Sequence, residues 1–392
     1  MKKICYFTIW REDSETVGIN LKIANQVKAF SHIGCETYYC VSNSTYVKLY
    51  KCIDGVLKEI RSQKLSFHAQ HCASSSLIKR KFSSLKRLKE CLSFVDEMNN
   101  VFQFDMFYIR RIVPFTRTIV RYIKKWNEMN CRIVWEIPTW GECNQKSFFK
   151  SILSNIENTN YKKLNKMMYI VAISSGQKAS NNVFLINNGV NCSDMPPKKC
   201  LEHDGINLVC LATFSHWHGY DRLLKGLKNY YDNSPQNEVN LYMIGNGEIE
   251  PLIALSKDLN LIEYVHFLGV CTGSKLDSYF DKMDIAIGNL GFFRKGVTSD
   301  TSIKIREYCA RGIPFVTALM VNDFPENYPY ILHVPMDESD VDIKQLVCFY
   351  ESLNLQKACL EMRKYAENNL SWDIQLQKVL NYVYDEKEEI QC

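Results

Sequence analysis

Short apolar runs alternate along this chain with stretches whose apolar residues fall every three or four positions. The two rhythms predict strands alternating with helices. The first run, Ile4–Trp10, reads as a buried strand. A polar loop, Arg11–Thr16, leads through Val17-Gly18-Ile19-Asn20 into a helical pattern carried by Leu21, Ile23, Ala24, Val27 and Phe30. The pattern stops at His32-Ile33-Gly34, where glycine suits a left-handed helix end, and a second strand, Glu36–Val41, follows. Strand, glycine loop, helix, glycine, strand is one βαβ unit of a parallel sheet. Further strands are expected at Asp105–Ile109, Arg132–Ile137, Tyr169–Ser174 and Val183–Ile186. The stretch between Val41 and Asp105 reads as a helical, basic region.

Residues Asn191–Asp204, with Pro196, Pro197, Lys198 and Lys199 and no periodicity, read as a linker. The βα grammar then restarts. Strands are expected at Ile206–Ala212, Val239–Ile244, Val265–Leu268, Asp284–Ile287 and Ile313–Val316. Helices are expected at Asp221–Tyr231, Ile249–Leu259, Lys275–Met283 and Ser302–Ala310, and a largely helical tail at Leu346–Tyr384. Ser371-Trp372-Asp373 opens the final helix of that tail. Two series of βα units about a linker predict two doubly wound domains facing one another, and such sheets take ligands at the carboxyl ends of their strands.

Composition narrows the picture. A chain of 392 residues, 46% hydrophobic and 23% charged, can bury two full cores. A net charge of +5 is small for this length and does not indicate nucleic acid. The 16 cysteines form no C-x-x-C pair and have no histidine cluster beside them, so a zinc or redox motif is not expected. The opening apolar run is too short for an export signal. No apolar stretch is long enough to span a bilayer. The cysteines therefore read as free thiols in a cytoplasmic protein.

The second half carries five segments in order: Trp217-His218-Gly219-Tyr220-Asp221-Arg222-Leu223-Leu224, Met243-Ile244-Gly245-Asn246-Gly247, His266-Phe267-Leu268-Gly269, Asp284-Ile285-Ala286-Ile287-Gly288, and Ser302–Pro314. Any one alone is a turn or a strand end. In this order and spacing they resemble the nucleotide-binding domain of glycosyltransferase family 4. In the first half, Val17-Gly18-Ile19, Glu136-Ile137-Pro138-Thr139 and Asn188-Gly189-Val190 stand where that family has its first glycine loop, a cleft loop and its hinge. The Trp-His-Gly, Arg-Lys-Gly and Glu-Ile-Pro-Thr segments look like those of bacterial enzymes that build surface polysaccharide such as capsule or lipopolysaccharide.

The resemblance implies an α/β protein of the GT-B fold, with two facing Rossmann-like domains and a C-terminal helix crossing back to the first. The expected boundaries are 1–195, together with about 372–392, for an acceptor-side domain, and 200–370 for a domain binding the nucleotide sugar. It implies a retaining, metal-independent hexosyl transfer from a UDP- or GDP-linked donor to a glycan or lipid-linked acceptor, with no cofactor. Glu307 would hold the ribose diol, since one carboxylate can accept two hydroxyl hydrogen bonds. The diphosphate would lie at two helix starts, His218-Gly219 and Ser302-Ile303, where backbone N–H groups converge. Gly18 and Ile19 would face the donor from the first domain, and Gly288, Leu290 and Gly291 would line its sugar.

This chain departs from the family in two places. Thr213 and His218 stand where the first loop usually carries Arg and Lys. Arg294 and Lys295 are therefore the leading candidates to neutralise the diphosphate, with Lys304 beside them. The paired glutamates, E-x(7)-E, are incomplete: Glu307 is the second, and the first falls at Ser299 beside Asp300. Arg110 and Glu136 end strands that point toward the ligand. Glu136 would orient an acceptor hydroxyl, balance a developing positive sugar, or form a salt bridge with Arg110 or Arg111. His68, His71 and Cys72 have no second ligand pair, so no metal is expected there. The basic run Lys79–Lys89, with Phe82, Leu85 and Leu88 on the same helix, offers a face for the inner side of an anionic membrane. Two other functions stay open: a nucleotide-sugar 2-epimerase of the same fold, and a non-catalytic partner subunit that has kept it.

Overall fold

The computed structural model describes residues 1–12, 17–66, 77–138, 159, 164, 167–173, 183–233 and 235–384. The chain divides into two compact units, one of Met1–Ile186 with Trp372–Cys392 and one of Asn187–Ser371.

The first unit holds strands β1 (Lys3–Arg11), β2 (Glu36–Ser42), β3 (Tyr46–Ile53), β4 (Val56–Lys64), β5 (Met106–Arg110), β6 (Arg132–Ile137), β7 (Tyr169–Ile173) and β8 (Val183–Ile186). Its sheet runs β4-β3-β2-β1-β5-β6-β7-β8. All pairings from β2 to β8 are parallel. Helix α1 (Val17–His32) follows β1, α2 (Leu77–Phe102) precedes β5, and α3 (Arg117–Glu128) links β5 to β6. Thr116 accepts from the Ile119 N–H to cap α3, which buries Ile119, Ile123 and Trp126. Each of those burials contributes roughly 1.5–3 kcal/mol.

Two strands of this sheet depart from the sequence reading. The region after Val41, expected to be helical, opens with the antiparallel hairpin β3–β4. The reason is local. Tyr46 to Ile53 alternates polar and apolar residues, Val47 and Leu49 being fully buried. Asp54-Gly55 supplies two consecutive positive φ angles, 51° and 73°, which a tight hairpin turn requires. The expected helix appears later, as α2. On α2, Leu85, Lys86 and Lys89 are exposed and Leu88 is buried. The side chains of Lys79–Phe82, like His68, His71 and Cys72, lie outside the described residues.

The second unit holds β9 (Ile206–Phe214), β10 (Val239–Gly247), β11 (Val265–Gly269), β12 (Ile285–Ile287), β13 (Phe315–Thr317) and β14 (Ile331–His333). Its helices are α4 (Tyr220–Asp232), α5 (Glu250–Asp258), α6 (Gly273–Phe280), α7 (Ile303–Arg311), α8 (Ile343–Glu351) and α9 (Leu355–Tyr365). The sheet order β11-β10-β9-β12-β13-β14 is parallel throughout. The segment 191–204, expected as a linker, is instead part of this unit. Cys192–Asp194 forms a 3-10 turn with Cys192 in the core. The Lys198 and Leu201 N–H groups donate to Arg311 O and Asp281 O. Proline and lysine there mark an irregular path, not an unattached one.

The last helix, α10 (Trp372–Tyr384), packs Trp372, Leu376, Val379 and Val383 into the first unit's core beside Ile23, Val27 and Phe30 of α1. No helix among the described residues is long and apolar enough to cross a membrane. The described cysteines are free thiols and most are buried.

Close packing sets one sharp constraint on α4. A Cβ added at Gly226 would fall 1.9 Å from Val341 O, a backbone atom that cannot swing away. Alanine ordinarily stabilises a helix by about 1 kcal/mol over glycine, but here the clash dominates. Gly226→Ala is expected to lower unfolding stability by about 1–3 kcal/mol, read as a lower urea midpoint at unchanged slope.

Candidate functional site

In both sheets the strand order reverses beside the first strand of the unit, and such switch points open a crevice at the carboxyl edge. In the second unit the switch lies between β9 and β12, which pair directly. The loops that leave these two strands, 215–219 and 288–302, carry most of the residues singled out from sequence.

These loops meet backbone to backbone. Gly219 has φ +74°, and a Cβ on it would fall 2.6 Å from Gly291 N. One on Gly291 would fall 2.8 Å from Gly219 Cα. The Leu290 N–H donates to His218 O at 2.9 Å. Only glycine permits this approach, so both Gly219 and Gly291 are fixed by contact, and Gly219 by its conformation as well. Gly288 is less tight, since a Cβ there would sit 3.0 Å from Val316 O. Leu290 proves to be a core residue: its side chain is fully buried, its N–H is taken by His218 O and its carbonyl by Arg222, so it does not line a sugar site. Arg222, also buried, locks the arrangement by donating from Nε to Ser339 O at 2.6 Å, from Nη2 to Pro335 O at 2.9 Å, and from Nη1 to Leu290 O. Nothing in the sequence marked Arg222 for this task, because its three acceptors are carbonyls from distant loops.

The first loop is a 3-10 turn, His216–His218, closed by a capping box with Ser215. His218 Nδ1 accepts from the Ser215 N–H at 3.2 Å, which places the ring proton on Nε2. Burial, with help from the Lys304 charge, lowers the His218 pKa to about 3. His218 is therefore a neutral ring at physiological pH and does not replace the missing lysine. Its ring stacks on Tyr220, centroids 5.5 Å apart.

The cations sort differently from the sequence expectation. Arg294 is not available to a phosphate. Its Nη1 and Nη2 grip both oxygens of Asp221 at 2.8 and 3.0 Å, Nε and Nη2 grip Glu338, and Nη1 also donates to His216 O at 2.6 Å. All five N–H donors of the guanidinium are used. The cluster of Arg294 with its two carboxylates is net negative. Lys295 is exposed, with its ammonium 4.4 Å from the centre of the Trp217 ring. Lys304, from the first turn of α7, donates to Tyr220 Oη at 3.1 Å, which brings it beside His218. Burial lowers its pKa to about 8, against the opposing pull of Asp300.

The start of α7 is partly occupied by the protein itself. Asp300 Oδ1 accepts from the Ser302 N–H at 2.7 Å, and Asn289 Nδ2 donates to its other oxygen. The Ser302 N–H is thus spent on a carboxylate, whereas Ser302 Oγ and Asn289 Oδ1 are buried with no hydrogen-bond partner among the described residues. Ile303 packs against the core. Buried Arg306 donates to Ser302 O at 2.9 Å and pairs with Asp323. One turn along α7, Glu307 Oε1 accepts from Arg311 Nε at 2.9 Å, and Arg311 also reaches Asp277 at 2.7 Å. Glu307 keeps its second oxygen without a hydrogen bond among the described residues.

In the first unit the switch point lies between β1 and β5. Gly18 is in the first turn of α1, and Ile19 packs on the core. Arg110 ends β5 and Glu136 lies on the adjacent strand β6, as expected. Glu136 has no exposed surface, which removes it as a group that touches an acceptor. Its Oε1 accepts from Arg110 Nη1 at 2.9 Å; its Oε2 accepts from Gln26 Nε2 at 2.7 Å and Tyr108 Oη at 2.8 Å. Tyr6 Oη completes the network by donating to Gln26. Of the readings offered for Glu136, the salt bridge with Arg110 is the one found. Arg110, though buried, retains a small exposed area, and its pKa is raised by Glu136 against burial, the larger influence. No group of three residues suited to holding a metal occurs among the described residues.

No protein-family model matches the sequence, and no curated protein sequence does. Solved structures match over nearly the whole chain. Sucrose-phosphate synthase from Thermosynechococcus elongatus superposes with a TM-score of 0.61 at 12% identity, covering 98% of this chain and 100% of that one. The catalytic domain of starch synthase IV from Arabidopsis thaliana, bound to ADP and acarbose, gives 0.60 at 9%, covering 98% and 99%. A putative UDP-N-acetylglucosamine 2-epimerase from Listeria monocytogenes gives 0.53 at 11%, covering 99% and 98%. At these identities the likeness establishes the fold. The two Rossmann-like units are those of the GT-B class.

Two outcomes are expected from this geometry. Glu136→Gln leaves Arg110 buried without its counter-charge and should cost about 3–5 kcal/mol of stability, read by urea unfolding. A variant of full stability but lost turnover would instead mean that Glu136 touches substrate. Lys304 is protonated below about pH 8, and an anionic ligand favours that form. Nucleoside diphosphate affinity should therefore fall as pH rises above about 8, by up to roughly tenfold per unit, in calorimetric titrations. Lys304→Gln should flatten that dependence.

Proposed function

We propose that this chain transfers a sugar from a nucleoside diphosphate to a hydroxyl acceptor with retained configuration and without a metal ion. The observation that carries the reading is the β9–β12 switch point, where two glycine loops touch and Lys295 and Lys304 approach one rim. A diphosphate suits such a place. Glycine lets the backbone come close, and a cation meets the negative charge. The ADP bound to the starch synthase neighbour is a ligand of the same chemistry.

In this reading Glu307 holds the ribose diol through the oxygen that Arg311 leaves open. Lys295 and Lys304 share the diphosphate, while Arg294 holds Asp221 and the loop. As transfer proceeds, the bond from the anomeric carbon to the diphosphate oxygen breaks and one to the acceptor oxygen forms on the same face. The acceptor proton passes to the departing diphosphate. The chain contributes positioning and stabilisation of charge on that leaving group. Neutral His218 is a hydrogen-bond donor through Nε2 rather than a base. The resemblance of the loop segments to those of bacterial enzymes supports a role in surface polysaccharide synthesis.

The 2-epimerase neighbour keeps a second reading in play, in which the same nucleotide-sugar site isomerises the donor sugar. One experiment separates the two. The protein is incubated with UDP- and GDP-sugars and hydroxyl acceptors, and products are followed by mass spectrometry and NMR. Release of free nucleoside diphosphate with a glycosylated acceptor is expected. An isomerised donor supports the epimerase, and neither product with nucleotide binding retained supports a non-catalytic partner. Glu307→Ala should weaken binding of the preferred nucleoside diphosphate about tenfold or more, the scale of a lost charge-assisted hydrogen-bond pair. Unchanged affinity would remove Glu307 from the ribose.

A further inference from the structure

We propose that a polar hollow beside the β3–β4 hairpin is a subsite for a neutral oligosaccharide, the acceptor of the transfer proposed above. The hollow measures about 530 Å³ and is lined by Asn43, Ser44, Thr45, Tyr46, Lys48, Glu59 and Ser62. That volume lies within the range of roughly 300–1,000 Å³ common to small-molecule sites.

Its place in the fold is that of a ligand site. Asn43 follows the carboxyl end of β2, and the Glu12 N–H at the end of β1 donates to Ser42 O at 3.0 Å. The hollow thus opens at the carboxyl edge of the parallel sheet, one strand from the β1–β5 switch point. The hairpin builds its wall by strand alternation. Val47 and Leu49 turn into the core, whereas Tyr46, Lys48 and Tyr50 turn the other way. Ser62 of β4 lies directly opposite Lys48.

The chemistry of the lining selects the ligand. Lys48 is already shared between Glu59 at 3.1 Å and Glu12 at 3.4 Å, so the hollow carries no unbalanced positive charge to draw an anion. What remains is the hydroxyls of Thr45 and Tyr46, the polar edge that Ser62 and Glu59 form together, and the aromatic face of Tyr46, 39% exposed. Hydroxyl donors and acceptors beside an exposed ring match a sugar, which has a polar rim and an apolar C–H face. Hydrogen bonds within the chain hold the loop in this form. Asn43 Oδ1 accepts from the Thr45 and Tyr46 N–H groups at 2.9 and 2.7 Å, and its amide donates to Glu12 at 3.0 Å. A preformed loop spares the ordering cost of binding.

The test is direct binding. The full chain is titrated with a panel of uncharged oligosaccharides and with phosphate-bearing counterparts, read by saturation-transfer NMR and calorimetry. At least one uncharged oligosaccharide should bind. Tyr46→Ala and Ser62→Trp, the second of which fills the hollow from an exposed strand position, should each weaken it about fivefold or more, roughly 1 kcal/mol. Tyr46→Phe should hold most of the affinity. Nucleoside diphosphate binding, measured in parallel, should not change in these variants. No binding by any uncharged glycan, binding that neither variant weakens, or preference for the phosphate-bearing compounds would each overturn the proposal. Glycan binding that follows the variants while wild-type protein binds no nucleotide would overturn the transferase reading and leave the subsite standing.

Discussion

The second unit is organised around one close approach. Gly219 and Gly291 bring the loops after β9 and β12 so near that a single methyl group on either would strike the other's backbone. The β9–β12 pairing fixes the spacing of the two loops, Arg222 ties the second loop to Pro335 and Ser339, and His218 O receives the Leu290 N–H. Much of the site follows from this contact. The turn before Gly219 must be tight, so Ser215 and His218 close a capping box. The ring that closes it must give up its proton at Nδ1, and so it is neutral.

A neutral histidine leaves the charge to be supplied from elsewhere, and the fold supplies it from a second helix. Lys304 reaches Tyr220 from α7 and stands beside the loop that lacks its own cation. Arg294, within the second loop itself, is consumed by Asp221 and Glu338. The difference between these two cations is one of partners. A guanidinium surrounded by two carboxylates and a carbonyl has no donor left. A half-buried ammonium that donates to a phenol, with Asp300 nearby, holds its proton more firmly when an anion arrives.

The first unit shows the same economy of polar groups. Glu136, Arg110, Tyr108, Gln26 and Tyr6 form a satisfied network across β1, α1, β5 and β6. Burial of a carboxylate is tolerated because every oxygen is paired. The consequence is that Arg110, rather than Glu136, holds the network's exposed edge. At the other side of the sheet the β3–β4 hairpin extends the parallel core with antiparallel strands. It gives the carboxyl edge an aromatic and hydroxyl-lined wall that a plain doubly wound sheet lacks.

Much of this was legible in the sequence because strands and helices follow from the spacing of apolar residues, which is a local property. β6, β8 and the β9 to β13 series fall within a few residues of where the pattern placed them, and the glycines at 219 and 291 were marked by their neighbours. The hairpin was legible too, in the alternation of Tyr46–Ile53 and the Asp54-Gly55 turn, but the lysines and arginines of the region drew the reading toward a helix. What the sequence did not determine was which charges are free. Arg294 meets Asp221 and Glu338, Arg222 meets Leu290, Pro335 and Ser339, and Glu136 meets Gln26 and Arg110 only after the chain has closed long loops. A side chain's availability to a ligand depends on partners distant along the chain, and only the tertiary structure brings those partners within hydrogen-bond reach.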